Sequence, residues 1–272
     1  MDQKYKNIGD VITICNQKGG VGKTTLCFNL ARAYSLQGKS VLVVDLDEQA
    51  NITQSLLASD TTIESSVADF LISAPIHAIE TSIQATIFED VYLLPSGKHM
   101  MSQVLAAMSS DGAVGSEFYL KKALEKLSEH IDIVLIDCGP NINRITMNAF
   151  TASSKIAIIT EAKMFSSIGI TKILGAIDVV RQYFNSDVAI AGIVVNKFKS
   201  NVVSANEWIE YMKELTIDND LSVIEPFIPD REPINKTVTQ QKGLDELPSF
   251  GVKKLLSIYD EIAKQIVKEK KA

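Results

Sequence analysis

The chain has 272 residues, 46% of them hydrophobic, and a formal net charge of −6. This is enough apolar material for a buried core, and the acidity excludes a protein that coats nucleic acid by bulk charge while leaving room for a local basic patch. No apolar run approaches the roughly 18 residues of a membrane-spanning helix, residues 1–6 carry no apolar stretch of the secretory kind, and Cys15, Cys27 and Cys138 form no C-x-x-C pair, so reduced, mostly buried thiols in a cytoplasmic protein are expected.

Residues 11–15 are an apolar, β-branched run that predicts a buried strand. Next comes Lys18-Gly19-Gly20-Val21-Gly22-Lys23-Thr24-Thr25, and residues 26–31 read as the first turns of a helix. Strand, glycine-rich turn and helix form the setting of a phosphate-binding loop. Its glycines let backbone N–H groups close around phosphate oxygens, and the helix N-terminus adds a favourable dipole. Lys23 is placed to reach the β- and γ-phosphates, and the Thr24 hydroxyl to bind Mg²⁺. The general pattern G-x-x-x-x-G-K-[ST] asks for glycine at position 17, where this chain has Gln17, and an extra lysine, Lys18, stands before the glycines.

These eight residues resemble the deviant Walker A loop of the ParA/MinD group of ATPases, and the chain is identified as similar to ParA/Soj-type DNA partition ATPases. The resemblance implies that residues 18–25 bind ATP and that Lys18 reaches across a dimer interface to the partner's nucleotide.

Residues 41–47 predict a second buried strand, with Asp45 and Asp47 at its end, followed by a helix from residue 48 to about 57. This stretch resembles the family's Walker A′ segment, D-x-D-P-Q-G-N. Asp45, Asp47, Gln49 and Asn51 match, while Glu48 and Ala50 replace the proline and glycine. The resemblance implies that Asp47 positions the attacking water. Further on, residues 67–72 read as a short helix ended by Pro75, residues 87–94 as a strand before a Pro95-Ser96-Gly97 turn, residues 100–108 as a helix packed on the core, residues 109–112 as a loop and residues 118–127 as an amphipathic helix.

Within residues 130–140, four apolar residues ending in Asp137 fit a Walker B strand, in which the aspartate can hold Mg²⁺ opposite Thr24. Thr24, Asp47 and Asp137 are thus the candidate metal residues. The family often has two prolines after this aspartate; here Cys138, Gly139 and Pro140 follow, and the family's geometry implies that the Gly139 N–H meets the γ-phosphate. A helix is expected from about residue 141, a strand at 155–160, a long helix at 166–184 and a strand at 188–195 that runs into Asn196. The resemblance places Asn196 against the adenine base, beside the ordinary reading of asparagine in a loop, and it sets Pro229 and Asp230 near the base as well. Residues 205–215 predict a helix containing Trp208, residues 222–225 a short strand and residues 251–271 an amphipathic helix.

Strands alternating with helices predict a single doubly wound, mostly parallel α/β sheet across residues 1–272, with helices on both faces. The resemblance implies a Mg²⁺-dependent ATPase with ATP and Mg²⁺ bound. ATP would make a homodimer that binds nonspecific DNA on the nucleoid, and a ParB-like centromere-binding activator would stimulate hydrolysis. The cargo would be a plasmid, a chromosome or a mobile element. Lys197, Lys199, Arg231, Lys236 and Lys242 are the candidate DNA contacts, weighed against simple solvated surface charges. Three other classes compete with this reading. A MinD-like membrane switch would use the C-terminal helix with Lys264, Lys268, Lys270 and Lys271 as an interfacial anchor. Iron–sulfur relatives need a second ligand motif beside Cys138, and an adaptor without catalysis is disfavoured by intact Lys18, Lys23, Asp47 and Asp137.

Overall fold

The computed structural model describes residues 7–72, 79–97, 101–108, 115–163, 166–217, 221–248 and 251–268. The expectations resting on residues 1–6, Pro75, Met100, residues 109–112, Lys270 and Lys271 lie outside them. In chain order the elements are β1 (Ile8–Cys15), α1 (Lys23–Leu36), β2 (Val41–Leu46), α2 (Asn51–Leu56), α3 (Val67–Ile72), β3 (Gln84–Ala85), β4 (Val91–Leu94), α4 (Met101–Met108), α5 (Tyr119–Leu124), β5 (Ile131–Cys138), α6 (Arg144–Ala152), β6 (Lys155–Glu161), α7 (Ser166–Tyr183), β7 (Ala189–Asn196), α8 (Val203–Ile217), β8 (Val223–Ile224), α9 (Glu232–Gln240) and α10 (Val252–Val267).

The strands pair in the order β3-β4-β2-β5-β1-β6-β7-β8. Every pairing is parallel except that of the edge strand β3 with β4. Parallel strands covered on both faces read as continuous apolar runs, and period-two alternation then divides their side chains between two layers. Val41, Val43, Ile133 and Leu135 pack with α1, α2, α9 and α10. Leu42, Val44, Val134 and Ile136 pack with α3 to α8. Because the pairing is parallel, β1, β2, β5, β6 and β7 all end at one edge of the sheet, and an open α/β sheet binds its ligands in the crevice beyond that edge.

Several boundaries differ from the sequence reading. The helix after β2 begins at Asn51 rather than at residue 48, because Ala50 is left-handed (φ 53) and the Gln49 N–H donates to Asp47 Oδ1 at 3.0 Å, making residues 47–50 a turn. The strand expected from residue 87 begins at Val91: Asp90 has φ 57, and the Thr86 hydroxyl bonds the backbone of Phe88 and Val91 into a tight loop. The helix after β5 starts at Arg144, where the Asn143 side chain accepts from the N–H groups of Ile145 and Thr146. The helix expected at 118–127 is the six-residue α5, preceded by a 3₁₀ turn over Ser116–Phe118. The edge strand β3 and the helix α9 were not anticipated.

The amphipathic C-terminal helix is α10, ending at Val267. Its apolar stripe of Leu255, Tyr259, Ile262 and Ile266 is buried with α1, and Tyr34 Oη donates to Ala263 O at 2.9 Å. Burial stabilises each such side chain by about 1.5–3 kcal/mol. This argues against the membrane-anchor alternative, since the stripe that would enter a lipid interface is already part of the core. Trp208 is buried on one face of α8, as expected.

Candidate phosphate-binding site

Residues 16–22 link β1 to α1 as an open loop. Gly20 and Gly22 adopt φ values of 75 and 99, the left-handed region that favours glycine. A Cβ on Gly22 would lie 2.2 Å from Asn196 Nδ2. Gly22→Ala therefore combines about 1–2 kcal/mol of backbone strain with a steric block. It is expected to weaken nucleotide binding at least about tenfold, as isothermal calorimetry would read. No side chain caps α1 at Gly22, so its first-turn N–H groups remain available to an anion.

Lys23 is buried at the start of α1, and its ammonium donates to the Lys18 carbonyl at 3.2 Å. Thr24 Oγ1 donates to Asp137 Oδ2 at 2.8 Å. The other oxygen of that carboxylate, Asp137 Oδ1, is buried without a hydrogen-bond partner. Burial raises the Asp137 pKa well above the usual carboxylate range, the Asp45 charge adds to the rise, and the Thr24 bond and Lys23 oppose it. Burial likewise pushes Asp45 up to about 7, against the bonds it accepts from Thr53 and the Asp47 N–H. An orphaned carboxylate oxygen beside a hydroxyl, in an acidic pocket, is a donor set for a hard divalent cation such as Mg²⁺. Among the described residues no group of three or more Asp, Glu, His or Cys side chains could hold a metal alone, so phosphate oxygens and water would complete the shell.

Asp47 is held by a closed ring of hydrogen bonds. Its N–H donates to Asp45 Oδ1 at 3.0 Å, and its carbonyl accepts from Ser96 Oγ at 2.7 Å. The Ser96 N–H donates to Thr53 Oγ1, which donates in turn to Asp45 Oδ2 at 2.6 Å. The turn after β4 is thereby fastened to the end of β2, and the Asp47 carboxylate faces Gly139, with its Oδ1 3.5 Å from where a Cβ there would sit.

The loop opens on a cleft of about 380 Å³. Gly19, Gly20, Gly22, Lys23, Thr24, Thr25, Asp47, Asn196, Pro229 and Asp230 all line it, as does Arg231. Gly139 borders an adjoining cavity of about 370 Å³ that shares Asp47 and Pro140 with the cleft. Val21 is not among the residues lining the cleft, and its side chain is in the core. Lys18 is exposed and outside the cleft of its own chain. Its N–H is fixed by Asn16 Oδ1 at 2.8 Å, and among the described residues its ammonium has no ion-pair partner.

The candidate DNA contacts are not gathered into one free basic patch. Lys197 bonds the Gly20 carbonyl and Glu161 while its side chain stays 37% exposed. Lys199 pairs with Asp230 at 3.0 Å and Lys236 with Glu232 at 2.9 Å. Arg231 lines the cleft, and Lys242 is exposed. The Asn196 amide is engaged with Val21 O and the Lys197 N–H. Sequence reasoning gave no role to Asn16, Thr53, Ser96 or Glu161. Only Glu161 carried a local signal, an acid ending an apolar strand as Asp137 does.

The AAA domain family model matches residues 9–190 of the chain. The chain is 30% identical over 254 residues to the sporulation initiation inhibitor protein Soj of Bacillus subtilis, covering 93% of this chain and 92% of that protein. It is 27% identical to the chromosome partitioning protein ParA of Myxococcus xanthus, over 95% of this chain and 84% of the relative. The crystal structure of cobyrinic acid a,c-diamide synthase from Mycobacterium smegmatis with a bound ATP analogue and magnesium superposes with a TM-score of 0.77 at 27% identity, covering 94% and 93% of the two chains.

Proposed function

The chain belongs to the ParA/Soj-type partition ATPases of the AAA domain family, and from that premise we propose that it is a Mg²⁺-dependent ATPase whose ATP-bound dimer binds DNA without sequence preference and drives segregation of a DNA cargo. The observation that carries the reading is the Thr24–Asp137 contact, with its orphaned carboxylate oxygen, beneath an uncapped helix N-terminus and beside buried Lys23.

In this reading the loop N–H groups and Lys23 hold the phosphates of ATP, and Thr24 and Asp137 hold Mg²⁺. The metal would neutralise charge on the transferred phosphoryl group. Asp47 orients water for in-line attack, releasing ADP and phosphate. Pro229 and Asp230 form the wall nearest the base: residue 229 bridges to Phe198, and the Ile228 carbonyl accepts from the Phe198 N–H at 2.9 Å. Lys18, exposed and without an ion-pair partner among the described residues, serves the site of a second subunit, so that each site is incomplete until the dimer forms. DNA binding and a ParB-like activator rest on the kinship with Soj and ParA, and they imply a cytoplasmic, nucleoid-associated protein. Arg231 and Lys242 are the candidate phosphate contacts that have no ion-pair partner among the described residues. No described helix is long and apolar enough to cross a membrane.

Calorimetric titration with Mg·ATP tests the reading. Wild-type protein is expected to bind, and Lys23→Ala to bind at least about ten- to a hundredfold more weakly. The ammonium is a charge-assisted donor, and deleting one such bond alone removes about 1.5–3 kcal/mol. A wild-type chain without affinity for Mg·ATP contradicts the reading. ATP-dependent retention on DNA should fall steeply with salt if phosphate contacts dominate.

A further inference from the structure

Two adjacent carbonyls of the phosphate loop are held from outside by two adjacent residues. Asn196 Nδ2 donates to Val21 O at 2.8 Å, and Lys197 Nζ donates to Gly20 O at 2.6 Å. A peptide unit is planar and trans, so its C=O and the following N–H point in opposite directions. Anchoring the Gly20 carbonyl fixes the direction of the Val21 N–H, and anchoring the Val21 carbonyl fixes that of the Gly22 N–H. A nest of successive loop N–H groups is what receives a phosphate.

Consecutive side chains of a strand point to opposite faces, so Asn196 and Lys197 reach the same loop only because the chain turns between them. Lys197 has φ 52, a conformation uncommon for a residue with a side chain. The turn is closed by the Lys197 N–H donating to Asn196 Oδ1 at 2.9 Å. Lys197 is also 2.9 Å from the Glu161 carboxylate, at the end of the neighbouring strand β6. Glu161 is nearly buried and pairs with Lys163 as well.

We infer that Asn196 and Lys197 are positioning residues that preset the phosphate cradle by anchoring the Val21 and Gly20 carbonyls, with Glu161 aiming the lysine. The inference rests on the nucleotide reading above and changes the work of both residues: Asn196 braces the loop, and Lys197 serves nucleotide affinity rather than DNA.

Lys197→Asn tests it, because asparagine tolerates the left-handed turn but lacks the ammonium. Mg·ATP and ADP are titrated by calorimetry without DNA, beside the thermal melt of the nucleotide-free protein. Both nucleotides meet the cradle, so affinity for each should fall about tenfold, ~1.4 kcal/mol, while the melting temperature does not fall. Lys197→Arg, which keeps the cation, should stay within about threefold of wild type. Unchanged affinity in Lys197→Asn overturns the inference, as does a loss of affinity that comes only with a loss of thermal stability. Loss of DNA retention with intact nucleotide affinity also overturns it and returns Lys197 to the DNA surface. If the wild-type protein binds neither nucleotide, the nucleotide reading fails, and this inference fails with it.

Discussion

Lys18→Ala is expected to bind Mg·ATP nearly as well as wild type and to hydrolyse it about 10³ to 10⁵ times more slowly, the range for cations delivered to a phosphoryl-transfer site from a partner. That loss corresponds to roughly 4 to 7 kcal/mol of barrier. The expectation follows from the different placement of the two loop lysines. Lys23 is buried at the start of α1 and lines the cleft. Lys18 is exposed, lies outside the cleft of its own chain and has a backbone pinned by Asn16. Removing its ammonium takes nothing from the phosphates bound in the same subunit. ATP-dependent dimers, followed by sedimentation, should disappear along with turnover. A Lys18→Ala protein that dimerises with ATP and hydrolyses it at the wild-type rate would show that the lysine has no role across the interface.

Asp47→Ala should separate chemistry from assembly in the opposite sense. The Asp47 backbone is clamped on both sides, by Asp45 at its N–H and by Ser96 at its carbonyl. Alanine therefore deletes the carboxylate without releasing the turn. Among the described residues, the one bond lost is that from the Gln49 N–H, which lies at the protein surface. Turnover should fall by about 10² to 10⁴, the usual contribution of a positioned acid–base group, while ATP binding and ATP-dependent dimers persist. Single-turnover hydrolysis and sedimentation on the same sample check both halves. Normal turnover would remove Asp47 from the chemistry, and loss of the dimer would make it an interface residue.

Most of the sheet was legible because its strands are apolar runs that stop at functional residues. The run of β1 stops before the glycine loop, that of β2 at Asp45 and Asp47, that of β5 at Asp137 and that of β7 at Asn196. Local composition therefore located the edge at which the site is built. It did not show Ala50 and Lys197 in left-handed turns, since neither residue type signals positive φ. The role of Lys197 was hidden for a second reason: its partner Gly20 is 177 residues away, and a lysine in sequence reads as a solvated charge until the fold supplies an acceptor. Ser96 is the same case, reaching Asp47 across 49 residues. The apolar stripe of α10 was legible as a stripe. What covers it was not, because periodicity states that a face is apolar and leaves its occupant open.

The central claim is that each active site is assembled from two subunits, and mixing the two inactive variants tests it most directly. In a dimer of one Lys18→Ala and one Asp47→Ala subunit, the first keeps its own Asp47 and receives Lys18 from the second, so one site is whole. The other site lacks both groups. With Mg·ATP, the mixture is predicted to recover turnover that neither variant has alone, up to about half the wild-type rate per mixed dimer. With mixed dimers present by sedimentation, turnover no greater than the sum of the two variants measured separately would contradict the account and place Lys18 and Asp47 at the same nucleotide within one chain.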